Sequence, residues 1–112
     1  MLPANNRLKK KKDFEMVFKG GQGFKEDFLY LKIKKNNLKN SRFGFVVSKK
    51  FSLKATKRNK IRRLLSEAVK TNLGRLKKSA DGVIVVMPEF KVNDFWEMEE
   101  VVGNLFKKAG II

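Results

Sequence analysis

Residues 42–68 read RFGFVVSKKFSLKATKRNKIRRLLSEA. The first eight residues alternate: Phe43, Phe45 and Val47 fall on one side, and Gly44, Val46 and Ser48 on the other. That is a strand over 42–49. From about 56 the period changes. Ile61, Leu64, Leu65, Ala68 and Val69 recur at i, i+3, i+4, i+7 and i+8, which predicts an amphipathic helix over 56–72. At about 100° per residue, Arg62, Ser66, Asn59, Lys70 and Arg63 form a polar stripe opposite that apolar face, with Arg58 at its edge. The basic stretch 49–57 connects strand to helix.

Working outward, FLYLKIKK (28–35) alternates Leu29, Leu31 and Ile33 against Phe28, Tyr30, Lys32 and Lys34. The Asn-rich turn 36–41 then suggests an antiparallel hairpin between 28–35 and 42–49. Downstream, VIVVM (83–87) is a continuous apolar run ended by Pro88, as in a strand covered on both faces. A strand, a long helix and this strand make a crossover unit, right-handed by the general rule if the strands are parallel. Phe14, Val17 and Phe18 mark a helix over about 11–19, stopped by Gly20, Gly21 and Gly23. The last helix spans about 93–109, with Asn93 as N-cap, Asp94, Glu97, Glu99 and Glu100 near its start and Lys107 and Lys108 at its end, an arrangement that suits the helix dipole. Residues 1–12 read as a basic lead-in, extended or loosely ordered, with a flexible 1–10 as the expectation. The order is α-β-β-α-β-α, an α+β fold in one domain over 1–112.

The chain has 112 residues, 42% of them hydrophobic, enough for one packed core. It carries 27 Lys and Arg against 11 Asp and Glu, a net charge of +16. Residues 1–80 hold +19 of this and residues 81–112 hold −3. The partner is therefore a polyanion that meets the first 80 residues, nucleic acid before an anionic membrane surface. Without His or Cys, the chain has no imidazole base, no Ser-His-Asp triad, no thiolate metal site and no disulfide. No apolar run approaches 18 residues, and the start lacks the apolar stretch of a signal peptide. Glycines 20, 21 and 23 lack the Lys-Ser/Thr ending of a phosphate loop. The carboxylates at 97–100 read as helix charges, so the residues point to no catalytic and no metal-ligating set of the protein's own.

Two constellations remain. Lys49, Lys50, Lys54, Lys57, Arg58, Asn59, Lys60, Arg62 and Arg63 form a dense basic block, and Arg suits two-point contact with phosphate. Phe14, Phe18 and Tyr30, with Lys32, combine stacking surfaces and charge, as single-stranded RNA sites do. Helical spacing also suits Phe14 and Phe18 to a core. The residues leave open which face of 28–35 would line a groove.

The run 42–68 resembles the protein subunit of bacterial ribonuclease P. The likeness rests on Arg42, Gly44, Val47, Ser48, Lys49 and Lys50 in the strand, and on Ala55, Arg58, Asn59, Arg62 and Arg63 in the helix. Arg7-Leu8, Asp13-Phe14 through Val17-Phe18, and the C-terminal strand and helix extend it to nearly the whole chain. One departure is Ser66, where members often carry another Arg. The resemblance implies a small two-layer α-β sandwich, ribosomal-protein-like, with a left-handed β-α-β crossover against the general rule. It implies a non-catalytic subunit of a cytoplasmic ribonucleoprotein endonuclease. The catalytic RNA would do the chemistry with Mg2+ held mainly by that RNA, without an organic cofactor. The basic block would meet the catalytic RNA. Phe14 and Phe18, matching the family's aromatic pair, would line the cleft that holds the 5′ leader of precursor tRNA; Tyr30 and Lys32 join that cleft on their own chemistry, a stacking ring and a phosphate-tracking charge. No membrane partner and no essential protein oligomer are expected. The competing expectation is a ribosomal-type structural RNA binder without a nuclease role.

Overall fold

The computed structural model describes residues 2–50, 52–88 and 94–112. Among the described residues, three α-helices and four strands run in the order α1 (Lys11–Gly20), β1 (Gln22–Glu26), β2 (Leu29–Lys35), β3 (Arg42–Val47), α2 (Ala55–Asn72), β4 (Ala80–Val86), α3 (Phe95–Lys108). The strands form one sheet in the order β1-β2-β4-β3.

The expected hairpin between 28–35 and 42–49 does not form. β2 pairs antiparallel with β4, Leu31 opposite Ile84, and β4 pairs parallel with β3, Phe45 opposite Ile84. The apolar run 83–87 thus inserts between the two strands that the sequence places side by side. The reason lies in its composition: β4 is the strand apolar on both faces, and only a central position buries both. β2 finds its hairpin partner on its other side, in β1, which the sequence reading missed. The β1–β2 turn is two residues, Asp27 and Phe28, and Asp27 takes the left-handed conformation (φ 50°) that Asp tolerates.

One sheet face carries the main core. Leu29, Leu31 and Ile33 of β2, Phe43 and Val47 of β3, and Ile84 and Val86 of β4 pack beneath α2 (Ile61, Leu65, Ala68, Val69) and α3 (Met98, Val102, Leu105, Phe106). Phe43 stacks on Phe106 with ring centres 5.4 Å apart. This is the sheet-and-helix sandwich expected. α1 lies on the opposite face, where Val17 packs with Leu8 and Val83, flanked by Phe14, Val46 and Val85. α1 ends at Gly20 because Gly21 turns extended (φ −87°, ψ 163°), and only glycine fits there: a Cβ would lie 2.6 Å from the Val17 carbonyl oxygen and 2.8 Å from that of Ile33.

The basic lead-in is anchored at two points. Leu2 and Leu8 are buried, residues 4–6 form a single 3-10 turn, and Arg7 bridges in parallel to Phe43. The segment therefore covers the outer edge of β3, which would otherwise expose unpaired backbone. Among the described residues, no helix is long and apolar enough to cross a membrane. The N-cap expected at Asn93 lies outside the described residues. Asp94 caps α3, its Oδ1 accepting from Trp96 N at 2.7 Å.

Candidate nucleic-acid interface

Strand alternation decides which side chains share the outer sheet face. Tyr30, Lys32 and Lys34 of β2 stand there with Arg42, Gly44 and Val46 of β3 and Val83 and Val85 of β4. The opposite set, Leu29, Leu31 and Ile33, is at most 8% exposed beneath the helices. Those three cannot line an open groove, so the aromatic-basic side of β2 is the accessible one. Tyr30 and Lys32 are half-buried, and the Tyr30 hydroxyl lies over Gly23 of β1 in space that a Cβ there would occupy.

α1 presents its two phenylalanines differently. Phe18 is 43% exposed. Phe14 is half-buried, with its ring in the space that a side chain at residue 44 would fill. Gly44 thus lets α1 approach β3. The helix is also tied through Arg42, whose Nη1 donates to Asp13 Oδ2 at 3.4 Å. Arg42 donates twice to Asp81, Nε to Oδ1 at 2.9 Å and Nη2 to Oδ2 at 2.6 Å. Asn36 Nδ2 adds a third donor to Asp81 Oδ1 at 2.7 Å. The hydrogen bonds to Asp81 raise the Arg42 pKa above its ordinary value; burial opposes this, and the charges of Asp81 and Asp13 reinforce it. The sequence reading noted Arg42 only as part of a motif. Its structural work shows in the register, which places it directly opposite Asp81.

On the basic block, Lys49, Lys50, Lys54, Lys57, Asn59, Lys60 and Arg63 are exposed. Arg58 and Arg62 are half-buried and oriented: Arg58 Nη1 donates to the Ser52 carbonyl at 2.8 Å, and Arg62 Nη1 to Asn59 Oδ1 at 2.7 Å. Preset guanidinium planes lose less freedom on binding phosphate. The sequence reading put the aromatics and the arginines in separate sites. The structure joins them in part. Phe14, Gly44, Phe45, Arg62, Arg63 and Ser66 border one concavity of about 240 Å³ between α1, β3 and α2. Phe18, Tyr30 and Lys32 do not border it. The concavity needs the sheet topology and the Phe14–Gly44 approach, so no local pattern reveals it. Among the described residues, no three of His, Cys, Asp and Glu come together as a metal site.

The profile of the family described as Ribonuclease P matches residues 2–110. The chain belongs to the ribonuclease P protein component family. The ribonuclease P protein component of Alkaliphilus metalliredigens is 35% identical over 111 residues, 99% of each chain. That of Thermotoga maritima is 39% identical over 108 residues, 91% of this chain and 90% of the relative. A solved structure of the T. maritima protein superposes with a TM-score of 0.81 at 36% identity, over 91% of this chain and 96% of that one. The Staphylococcus aureus ribonuclease P protein gives 0.85 at 24% identity over 95% and 96%, a likeness of fold alone. Membership makes the chain part of a tRNA-processing ribonucleoprotein and gives it an RNA subunit as partner. The match extends through the acidic C-terminal third, whose helix α3 closes the core under the face opposite α1.

Proposed function

We propose that the protein grips two RNAs at once, as the non-catalytic subunit of a cytoplasmic ribonuclease P. The basic end of α2 and the connector before it (Lys49, Lys50, Lys54, Lys57, Arg58, Asn59, Lys60, Arg62 and Arg63) hold the catalytic RNA. Phe14, Phe18, Tyr30 and Lys32 hold the single-stranded 5′ leader of precursor tRNA. On this reading the RNA cleaves the 5′ end, with Mg2+ held mainly by that RNA. The protein screens repulsion between two polyanions and contributes binding at the leader. The observation that supports it best is the shared concavity, where an aromatic ring of α1 and two guanidinium groups of α2 border one space. Bases stack on the first, and phosphates pair with the second.

The test is reconstitution at low magnesium. Purified protein added to the catalytic RNA should raise precursor-tRNA cleavage, and more for substrates with a leader of several nucleotides than for those with one. Absence of any stimulation would leave a structural RNA binder of ribosomal type.

A further inference from the structure

A second basic concavity lies at the other end of α2. It encloses about 380 Å³ where the β2–β3 loop meets the turn after α2, and its rim carries Lys39, Lys77 and Lys78. No carboxylate lines it. Asp81, two residues beyond Ser79 of the rim, stands on the outer sheet face, held there by Arg42 and Asn36. The three lysines are exposed, but their backbones are fixed. Ser79 Oγ donates to the Lys39 carbonyl at 3.2 Å, Ser41 Oγ to that of Lys78 at 3.4 Å, and Lys77 N to that of Ile111 at 2.8 Å. The half-buried Leu73 and Leu76 give the concavity an apolar floor. Three exposed cations around such a space, with no carboxylate among its lining residues, favour an anion between them.

We infer that this concavity is a second RNA-backbone site, seating phosphates beside Lys39, Lys77 and Lys78. The inference rests on the RNA-binding reading above. From Arg63, the last cation of the first region, to the end of α2 at Asn72, where the second concavity begins, is nine residues or about 14 Å. A stably folded RNA that touches both is held at two points, which fixes its orientation on the protein as one point cannot.

Gly74 supplies a clean probe. It borders the concavity, and a Cβ there meets nothing within 4 Å. Gly74→Glu should weaken binding of the catalytic RNA at least fivefold, and Gly74→Lys should leave it equal or tighter. Lys77→Gln with Lys78→Gln should lower the slope of log affinity against log salt by about one to two. Lys107→Gln, one exposed charge at the end of α3, should cost less than twofold. Equal losses in Gly74→Glu and Lys107→Gln would reduce the effect to net charge and overturn the inference, and so would a silent Gly74→Glu. If inorganic phosphate alone perturbs the amides of 73–79 while the RNA ignores every variant, the concavity is a small-anion site and the inference also falls. Binding that survives both these variants and Arg62→Ala with Arg63→Ala would instead overturn the RNA-binding reading itself. Unfolding midpoints of the Gly74 variants separate loss of fold from loss of contact.

Discussion

Arg42 and Asp81 sit directly opposite each other in the parallel β3–β4 pair and are joined by two hydrogen bonds, at 2.9 and 2.6 Å. The same guanidinium reaches Asp13 of α1, so one side chain connects two strands and a helix. Removing it leaves the Asp81 carboxylate, 13% exposed, with only Asn36 among these donors. Arg42→Met should therefore cost about 1.5–3 kcal/mol, the scale of a lost charged hydrogen bond at a partly buried site. A urea unfolding midpoint that drops by about 1 M or more would show it. An unchanged midpoint would mean that apolar packing alone holds β3 against β4.

Gly44 has no room for a methyl group while Phe14 is in place. Gly44→Ala should destabilise by about 1–3 kcal/mol through overpacking. Combined with Phe14→Leu, the cost should be smaller than the sum of the two single changes, because the shorter side chain removes the overlap. Strict additivity in a double-mutant cycle would show that the helix avoids the clash by moving as a body.

Phe18 is different, since 43% of it is exposed. Phe18→Ala should leave the unfolding midpoint nearly unchanged. It should weaken precursor tRNA binding by roughly 5- to 150-fold, the range of about 1–3 kcal/mol for one stacked base. Mature tRNA, lacking the leader, should bind within about twofold of its wild-type affinity. Equal losses for both ligands would remove Phe18 from the leader site.

Arg62 and Arg63 border the concavity with Phe14. Arg62→Ala with Arg63→Ala should lower the log–log salt slope of catalytic-RNA binding by about one per lost phosphate contact, so by up to about two. A drop in affinity with an unchanged slope would assign them a packing role.

The helices were legible because each carries its own periodicity: Ile61 to Val69 defines α2 without reference to anything distant. The strand residues were legible too, but their partners were not. Nothing local in FLYLKIKK or RFGFVVSK says that residues 80–86 come between them; that follows from which strand most needs burial on both faces. β1 escaped notice because Gly21 and Gly23 read as punctuation, whereas one has no space for a side chain and the other leaves room for Tyr30. For the site, composition marked the basic block and the aromatics, and alternation placed Tyr30 with Lys32. The meeting of Phe14 with Arg62 depends on tertiary approach across Gly44, and sequence spacing holds no record of it.

The central position of β4 has a consequence for how the protein is made. Both β2 and β3 hydrogen-bond to it, and neither can pair with the other. While the ribosome is still adding residue 79, the emerging chain already carries almost all its positive charge, but of the sheet's strand pairings it can close only the β1–β2 hairpin, a unit too small to be stable alone. Compaction waits for the last third, which supplies the strand that joins the sheet and the helix that covers it. A chain truncated before residue 80 should therefore stay expanded, since the strand that joins β2 to β3 and the helix that covers them are both missing.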